Sequence, residues 1–190
     1  RTELHLDLTG ADTDLAGNGT APVELLAAKR SAVFTYPDST RNTYGLANLR
    51  GTHRALDVLS FQGNLYLSHL HQRTRNGDAS EAAPCGGMPG FLCLEDDDVL
   101  TDANGDPIAD FLSGGVYAQL NRTAADTTGY GGALQASYDA KLAGYGNRLI
   151  AGFAIDGGRT RFAATSELGA LGPDRGFAGP GIVIDQPDKT

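Results

Sequence analysis

The sequence lacks the large side chains that fill a dense soluble core. It has no tryptophan and one methionine, only 41% of its residues are hydrophobic, and 26 of its 190 residues are glycine. Glycine favours turns and gives strands little side-chain bulk to pack. The length permits one ordinary domain, but this composition disfavours a thick globular interior.

Long apolar runs are also missing. No stretch approaches the roughly 20 apolar residues of a membrane helix, and the opening Arg1-Thr-Glu-Leu4 does not begin a secretory signal. Membrane β-strands are not excluded, because they are short, alternate in polarity and escape hydropathy plots. Apolar alternation starts at Leu4 and residues 185–190 are turn-like, so we expect a fragment of a longer chain.

Positive charge is scarce in one segment only. Residues 74–127 carry ten acidic and two basic side chains, whereas the other 136 residues carry thirteen of each sign. The whole net charge of −8 therefore falls in this segment, which we interpret as a long solvated loop. Nucleic-acid binding is disfavoured, because the chain lacks the basic stripe that a phosphate backbone requires.

Cysteine occurs twice, and both residues lie in the acidic segment. Seven residues, three of them glycine, separate Cys85 from Cys93. This spacing favours a small disulfide-closed loop in an oxidising compartment, with free thiols as the alternative. A zinc site is disfavoured, since no second Cys or His pair stands nearby at ligand spacing.

Alternation of apolar and polar residues predicts an all-β, antiparallel chain of five strands. The first contains Leu4, Leu6 and Leu8, and the others cover residues 41–54, 59–73, 128–139 and about 148–156. Their connections alternate between long and short. Strands of about 12–15 residues joined in this way are typical of an up-and-down transmembrane β-barrel, with short periplasmic turns and long extracellular loops.

The polar positions of the last two strands are the candidate lumen-lining residues. We expect Gln135, Ser137, Asp139 and Asp156 to face the interior of the barrel, opposite the apolar positions. Tyrosines near the strand ends are candidates for an aromatic girdle at the membrane interfaces, namely Tyr44, Tyr130, Tyr138 and Tyr145.

Several segments together resemble a known family. They are Gly17-Asn-Gly-Thr-Ala-Pro-Val-Glu-Leu-Leu in the first loop, Leu59-Ser-Phe-Gln-Gly-Asn-Leu-Tyr66, Arg73-Thr-Arg-Asn-Gly-Asp78 and Thr128-Gly-Tyr-Gly-Gly-Ala-Leu-Gln135. Taken together they resemble the barrel region of TonB-dependent receptors from the outer membrane of Gram-negative bacteria. The resemblance implies that residues 1–190 are part of a 22-stranded barrel that imports a siderophore or another scarce nutrient. The energy would come from TonB through a plug domain, which this chain lacks.

Three local patterns have a functional and a structural interpretation. His69 and His71 share one strand face, which suits a ligand site or simply the polar lining of a lumen. Residues 102–106 resemble the start of a calcium loop or form a polar turn; an EF-hand would need glycine and glutamate where Pro107 and Ser113 stand. Residues 23–31 predict a short helix inside the first long loop.

No motif for catalysis or cofactor binding is present in the sequence. A nucleophile elbow, a Walker loop, a paired metal motif and a dinucleotide fingerprint are all missing, so we predict no catalytic, cofactor or metal residues. The alternative to a receptor is a secreted soluble β-rich binding or adhesion module. A hydrolase on a β-scaffold is a third possibility without a supporting constellation.

Overall fold

The computed structural model describes residues 1–17, 19–94 and 98–185. The prediction of an antiparallel all-β fold is confirmed, and the expected short helix is the one helix among these residues. The elements are β1 (Thr2–Ala16), α1 (Val23–Ala28), β2 (Asp38–Leu56), β3 (Leu59–Ala79), β4 (Ala83–Pro84), β5 (Leu92–Cys93), β6 (Tyr117–Leu142), β7 (Tyr145–Leu171) and β8 (Phe177–Asp185).

The main sheet has six strands in the order β1-β2-β3-β6-β7-β8, and β4 and β5 form a second, two-stranded sheet. The prediction of five strands is therefore wrong, since the described residues form eight. Sequential neighbours pair throughout the main sheet, as in an up-and-down arrangement. Within the described residues the sheet does not close, because β1 and β8 are edge strands.

The missed strand of the main sheet is β8, which pairs antiparallel with the end of β7. Its sequence, Phe177-Ala-Gly-Pro-Gly-Ile-Val-Ile-Asp185, places a proline and two glycines where a regular strand would alternate. The pairing shifts register between Ser166 and Glu167 and again between Leu168 and Ala170. Proline at a sheet edge and glycine at bulges are the usual exceptions to strand composition, which explains why alternation did not reveal β8.

The four connections among the first five main strands alternate in length as predicted. Two residues, Asp57 and Val58, join β2 to β3, and Ala143 and Gly144 join β6 to β7. The second turn has φ of 52° at Ala143 and 85° at Gly144, and positive φ at both positions is typical of a type I′ hairpin. The long connections are residues 17–37 and 80–116, whereas residues 172–176 join β7 to β8. Which end faces the periplasm stays a prediction.

The chain divides into two compact units. The first unit consists of Arg1–Asp12, Asn42–His71 and Asp126–Arg161; the second consists of Thr13–Arg41, Gln72–Ala125 and Phe162–Thr190. Every buried hydrophobic residue of the described chain belongs to the second unit. The first unit is thus a sheet of long strands without a hydrophobic core of its own.

The core of the second unit lies in and around the connection between β3 and β6. Its buried members are Ala82, Leu92, Leu100, Ile108, Tyr117 and Leu168. Three of them join in a closed ring of backbone hydrogen bonds: Leu92 donates to Ile108 (2.9 Å), Ile108 to Leu100 (2.9 Å) and Leu100 to Leu92 (2.8 Å). The expectation of a solvated loop is wrong for this segment, because it folds around its own small core.

Candidate functional site

One face of the first unit carries exposed apolar side chains on five strands. Successive side chains of a strand point to opposite faces, and cross-strand contacts show which positions share a face. A Cβ added to Gly51 would lie 2.7 Å from Leu4 Cδ2, and one added to Gly132 would lie 2.5 Å from Leu65 Cδ2. Twelve side chains, 42–72% exposed, form this apolar band: Leu4, Leu6, Leu8, Leu49, Leu65, Leu67, Tyr130, Leu134, Tyr138, Leu149, Phe153 and Ile155.

The opposite face of the first unit is polar and carries several ionic side chains. Three ion pairs lie on it: Arg1 with Glu3 (2.6 Å), Arg50 with Asp7 (3.2 Å) and Arg148 with Asp139 (2.5 Å). The Tyr66 hydroxyl donates a hydrogen bond to Asp156 Oδ1 at 2.7 Å. One sheet therefore separates an apolar surface from a polar surface.

All four predicted lumen-lining residues lie on this polar face. Gln135 lines a shallow depression, and Ser137 lies near the strand ends among Arg54, Ser60 and Gln62. Asp139 and Asp156 are held by Arg148 and Tyr66. The structure thus brings the four residues to one surface, while a lumen stays a prediction.

The depression on the polar face has a volume of about 890 Å³. Small residues line its base where β6 and β7 pass each other: Ala133, Gly152 and Ala154. Polar side chains from β1, β2, β3 and β6 surround them: His5, Arg50, Thr52, Gln62, Asn64 and Gln135. Sequence reasoning identified Gln135 alone. Arg50, Thr52, Gln62 and Asn64 lie on β2 and β3, whose alternation is less regular, and alternation does not show which strands bring their polar faces together.

The histidine pair lies on the face of the apolar band rather than on the polar face. His69 and His71 alternate in phase with Leu65 and Leu67 of β3. His71 Nδ1 lies 2.6 Å from Asp126 Oδ1 on β6, and His69 Nδ1 lies 3.2 Å from Thr128 Oγ1. Among the described residues, no three His, Cys, Asp or Glu side chains group closely enough to hold a metal ion. Each histidine has a cross-strand partner, and the pair lies on the opposite face from the four predicted lumen-lining residues.

The predicted disulfide is confirmed in the second unit. Cys85 and Cys93 are bonded, with their Cα atoms 5.0 Å apart, and both are buried. The pairing of Ala83 with Cys93 and of Pro84 with Leu92 forms the β4–β5 ladder beside it. The disulfide therefore holds the start of the small core, because Leu92 belongs to the hydrogen-bonded ring.

The Asp102 segment is a turn whose carboxylate is occupied by the backbone. Asp102 Oδ1 accepts hydrogen bonds from the N–H of Asn104 (2.8 Å) and of Asp106 (3.0 Å). These backbone bonds lower the pKa of Asp102 below its ordinary value of 3.8. An oxygen that faces backbone donors is poorly placed to bind a cation, so the geometry favours the polar turn over the calcium loop.

Tyr117 closes the long connection where it enters β6. Its hydroxyl donates to Asp110 Oδ1 at 2.5 Å and accepts from the N–H groups of Phe111 (3.1 Å) and Leu112 (3.2 Å). The Phe111 ring packs edge-on against the Tyr117 ring, with the centroids 5.1 Å apart. The hydrogen bond from Tyr117 is the main reason that the pKa of Asp110 is lowered.

A strap, residues 34–37, fastens the first long connection to two other parts of the second unit. Tyr36 forms a parallel bridge with Gly176, and its hydroxyl donates a short hydrogen bond to Asp174. The Pro37 carbonyl accepts from Gly77 N–H on β3 at 2.7 Å. The Arg175 guanidinium lies 4.5 Å from the centroid of the Phe34 ring. The connection between β7 and β8 and the end of β3 are thus held by the same four residues.

No protein-family model, no curated protein and no solved structure matches the chain. Among the described residues, no helix has the length and apolar character to cross a membrane. The resemblance to TonB-dependent receptors therefore stays a prediction, and a function has to be argued from the two faces of the sheet and from the connections.

Proposed function

We propose that the chain is a segment of an outer-membrane β-barrel of the TonB-dependent receptor kind, in which the apolar band faces lipid. The chain would contribute to the uptake of a siderophore or another scarce nutrient by binding and passage rather than by catalysis. TonB would act through a plug domain elsewhere in the parent protein. The single observation that carries the proposal is the apolar band on a sheet without a core.

The size of the band supports lipid as its cover. Soluble monomers rarely expose contiguous apolar patches larger than a few hundred Å². From Tyr130 to Tyr138 the band extends over eight residue steps of β6, about 27 Å at 3.4 Å per residue. A strand tilted by about 40° would give a belt roughly 20 Å tall, close to the ~25 Å apolar belt of outer-membrane barrels.

The tyrosines fit this arrangement in part. Tyr130 and Tyr138 stand at the two ends of the band on β6, with Leu134 between them, as expected for side chains at the two interfaces. Tyr145 is 78% exposed beside the type I′ turn. Tyr44 alternates onto the opposite face from Leu49 and is half-buried, so it does not belong to the girdle.

The connections suit the capture of a ligand at one end of the strands. In barrels of this class the short turns face the periplasm and the long loops face outside. Residues 17–37 and 80–116 join strands at the same end, and each is fixed within the second unit, by the strap in one case and by the disulfide and small core in the other. Fixed loops favour binding, because less conformational entropy is lost when a ligand is held.

The test compares two substitutions on β7 that differ in the face they occupy. Phe153 is 68% exposed in the band, and Ile150 is 54% exposed on the polar face. If the band faces lipid, Phe153→Arg lowers the free energy of unfolding in dilauroyl-phosphatidylcholine vesicles by about 2–4 kcal/mol. Ile150→Arg serves as the matched control, because it places the same charge on the polar face, and we expect little change.

Equal effects of the two substitutions would contradict the proposal. A second contradicting result is a wild-type chain that is a monomer with β-sheet circular dichroism in plain buffer and does not partition into detergent. The second result would support the soluble, secreted binding module. Aggregation in buffer with β-structure recovered in detergent is the result that we expect.

A further inference from the structure

We propose that the depression on the polar face of the first unit binds a neutral, hydroxyl-rich ligand such as an oligosaccharide. The role of this binding in nutrient uptake rests on the proposed function. The class of ligand is argued from the side chains of the first unit alone. The inference narrows the ligand from any scarce nutrient to an uncharged polyol.

Three side-chain amides without partners converge on this depression. Gln62 and Asn64 come from β3, and Gln135 comes from the neighbouring strand β6. In the described part of the chain, none of the three side chains makes a hydrogen bond to another protein group. Each amide carries both a donor and an acceptor, which matches a hydroxyl group, since a hydroxyl also donates and accepts.

The charge of the residues that line the depression argues against an ionic ligand, although Arg54 and Lys141 elsewhere on the same face have no ion-pair partner among the described residues. Arg50 is the cation that lines the depression, and Asp7 neutralises it at 3.2 Å. Nearer the strand ends, Asp139 and Arg148 neutralise one another. An anion would have to displace Asp7, and a cation would find no free carboxylate among the lining residues.

The base of the depression gives a flat ligand room to approach. Ala133, Gly152 and Ala154 leave the backbone of β6 and β7 uncovered between longer side chains. A Cβ added to Gly152 would lie 2.9 Å from the Leu134 carbonyl oxygen, so glycine keeps the two strands close at this point. A volume of about 890 Å³ is large enough for several sugar rings, since ligand sites commonly measure about 300–1,000 Å³.

The test is calorimetric titration of the full chain with maltohexaose, with citrate as the anionic probe and spermidine as the cationic probe. The titration is made in whichever of buffer or detergent gives β-sheet circular dichroism, so failure of the membrane assignment does not decide this test. We expect maltohexaose to bind and the two charged probes not to bind.

Variants locate the binding. Gln62→Leu combined with Gln135→Leu should weaken maltohexaose binding about tenfold, because two net hydrogen bonds are lost. Gln119→Leu is the matched control, since the Gln119 side-chain amide lies in the second unit and donates a hydrogen bond to Asn121. We expect the Gln119→Leu variant to bind maltohexaose with the affinity of the wild type. No binding of maltohexaose, equal affinity in the double variant, or tighter binding of citrate or spermidine would overturn the inference.

Discussion

Gly77 on β3 lies directly against the backbone of Tyr36. A Cβ added to Gly77 would be 2.5 Å from the Tyr36 carbonyl oxygen and 2.7 Å from the Tyr36 carbonyl carbon. Both are backbone atoms, so they cannot rotate away as a flexible side chain could. The strap therefore depends on a residue without a side chain at position 77.

The substitution Gly77→Ala should detach or shift the strap. We expect a loss of about 1–3 kcal/mol in the free energy of unfolding, the usual cost of overpacking a close contact. Urea denaturation followed by circular dichroism measures it. Gly87→Ala is the control, because an added Cβ at Gly87 meets nothing within 4 Å. If both variants unfold at the same urea concentration, the strap is not held as described.

The bond between Tyr36 and Asp174 predicts how the strap responds to pH. The hydrogen bond from Tyr36 lowers the pKa of Asp174 below 3.8, and the same bond, together with desolvation and the charge of Asp174, raises the pKa of Tyr36 above 10.0. A lowered carboxyl pKa gives stability that is present above 3.8 and is lost as the pH falls through the lowered value. A raised phenol pKa gives stability that is present below 10.0 and is lost as the pH rises through the raised value.

Wild type and Tyr36→Phe should therefore differ most in Tm between about pH 4 and pH 10, with wild type the more stable, and converge at both extremes. Thermal unfolding across this range checks the expectation. Tyr44→Phe is the control, since the Tyr44 hydroxyl has no hydrogen-bond partner among the described residues. A difference that does not narrow as the pH falls below 3.8 would show that Tyr36→Phe acts through packing rather than through Asp174.

Parts of this fold are predictable from the sequence and others are not, for a physical reason. Apolar alternation marks a strand only where one face meets an apolar phase. It located the hairpin of β6 and β7 from Tyr130 to Ile155, which carries six of the twelve side chains of the apolar band. It missed residues 117–127 and 157–171 of the same strands, because neither face of those stretches carries a regular apolar row.

The small core of the second unit was missed although the sequence contains a signal for it. Leu92, Leu100 and Ile108 recur every eight residues within the acidic segment, and these three residues form the hydrogen-bonded ring. A recurrence every eight residues does not by itself predict a helix or a strand, because a helix needs apolar residues every three to four positions and a strand needs them every two. The acidic residues between them obscured the pattern. Asp102 and Asp106 lie on a turn beside the core, whereas Glu95, Asp96 and Asp97 lie outside the described residues.

Tyr117 supports the small core through its hydroxyl as well as its ring. Tyr117→Phe keeps the edge-on contact with Phe111 but leaves the Phe111 N–H without its acceptor, leaves Leu112 N–H with only its 3.3 Å bond to Asp110 Oδ1, and removes the donor to Asp110. We expect a loss of about 1–3 kcal/mol, the cost of leaving partly buried polar groups unsatisfied. Chemical denaturation monitored by near-ultraviolet circular dichroism of the tyrosines measures the loss.

The control for this variant is Tyr138→Phe, whose hydroxyl makes no hydrogen bond among the described residues. We expect its stability to change by less than that of Tyr117→Phe. Equal stability of Tyr117→Phe and wild type would mean that water replaces the hydroxyl at Phe111 and Leu112, and that the contact of the two rings alone closes the connection.

The disulfide should stabilise the small core even though it closes a short loop. Cys93 follows Cys85 by eight positions, and the chain-entropy model gives about 2.5 kcal/mol for a loop of this length. The double variant Cys85→Ala and Cys93→Ala should lower the free energy of unfolding of the second unit by about this amount.

Hydrogen exchange at the N–H groups of Leu92, Leu100 and Ile108 measures this loss of stability locally, because these groups form the ring beside the disulfide. Faster exchange at all three sites, with unchanged exchange at the β6–β7 hairpin of the first unit, is the expected result. If exchange at the ring does not change, the ring is stable without the covalent link, and burial of Leu92 rather than the disulfide organises the segment.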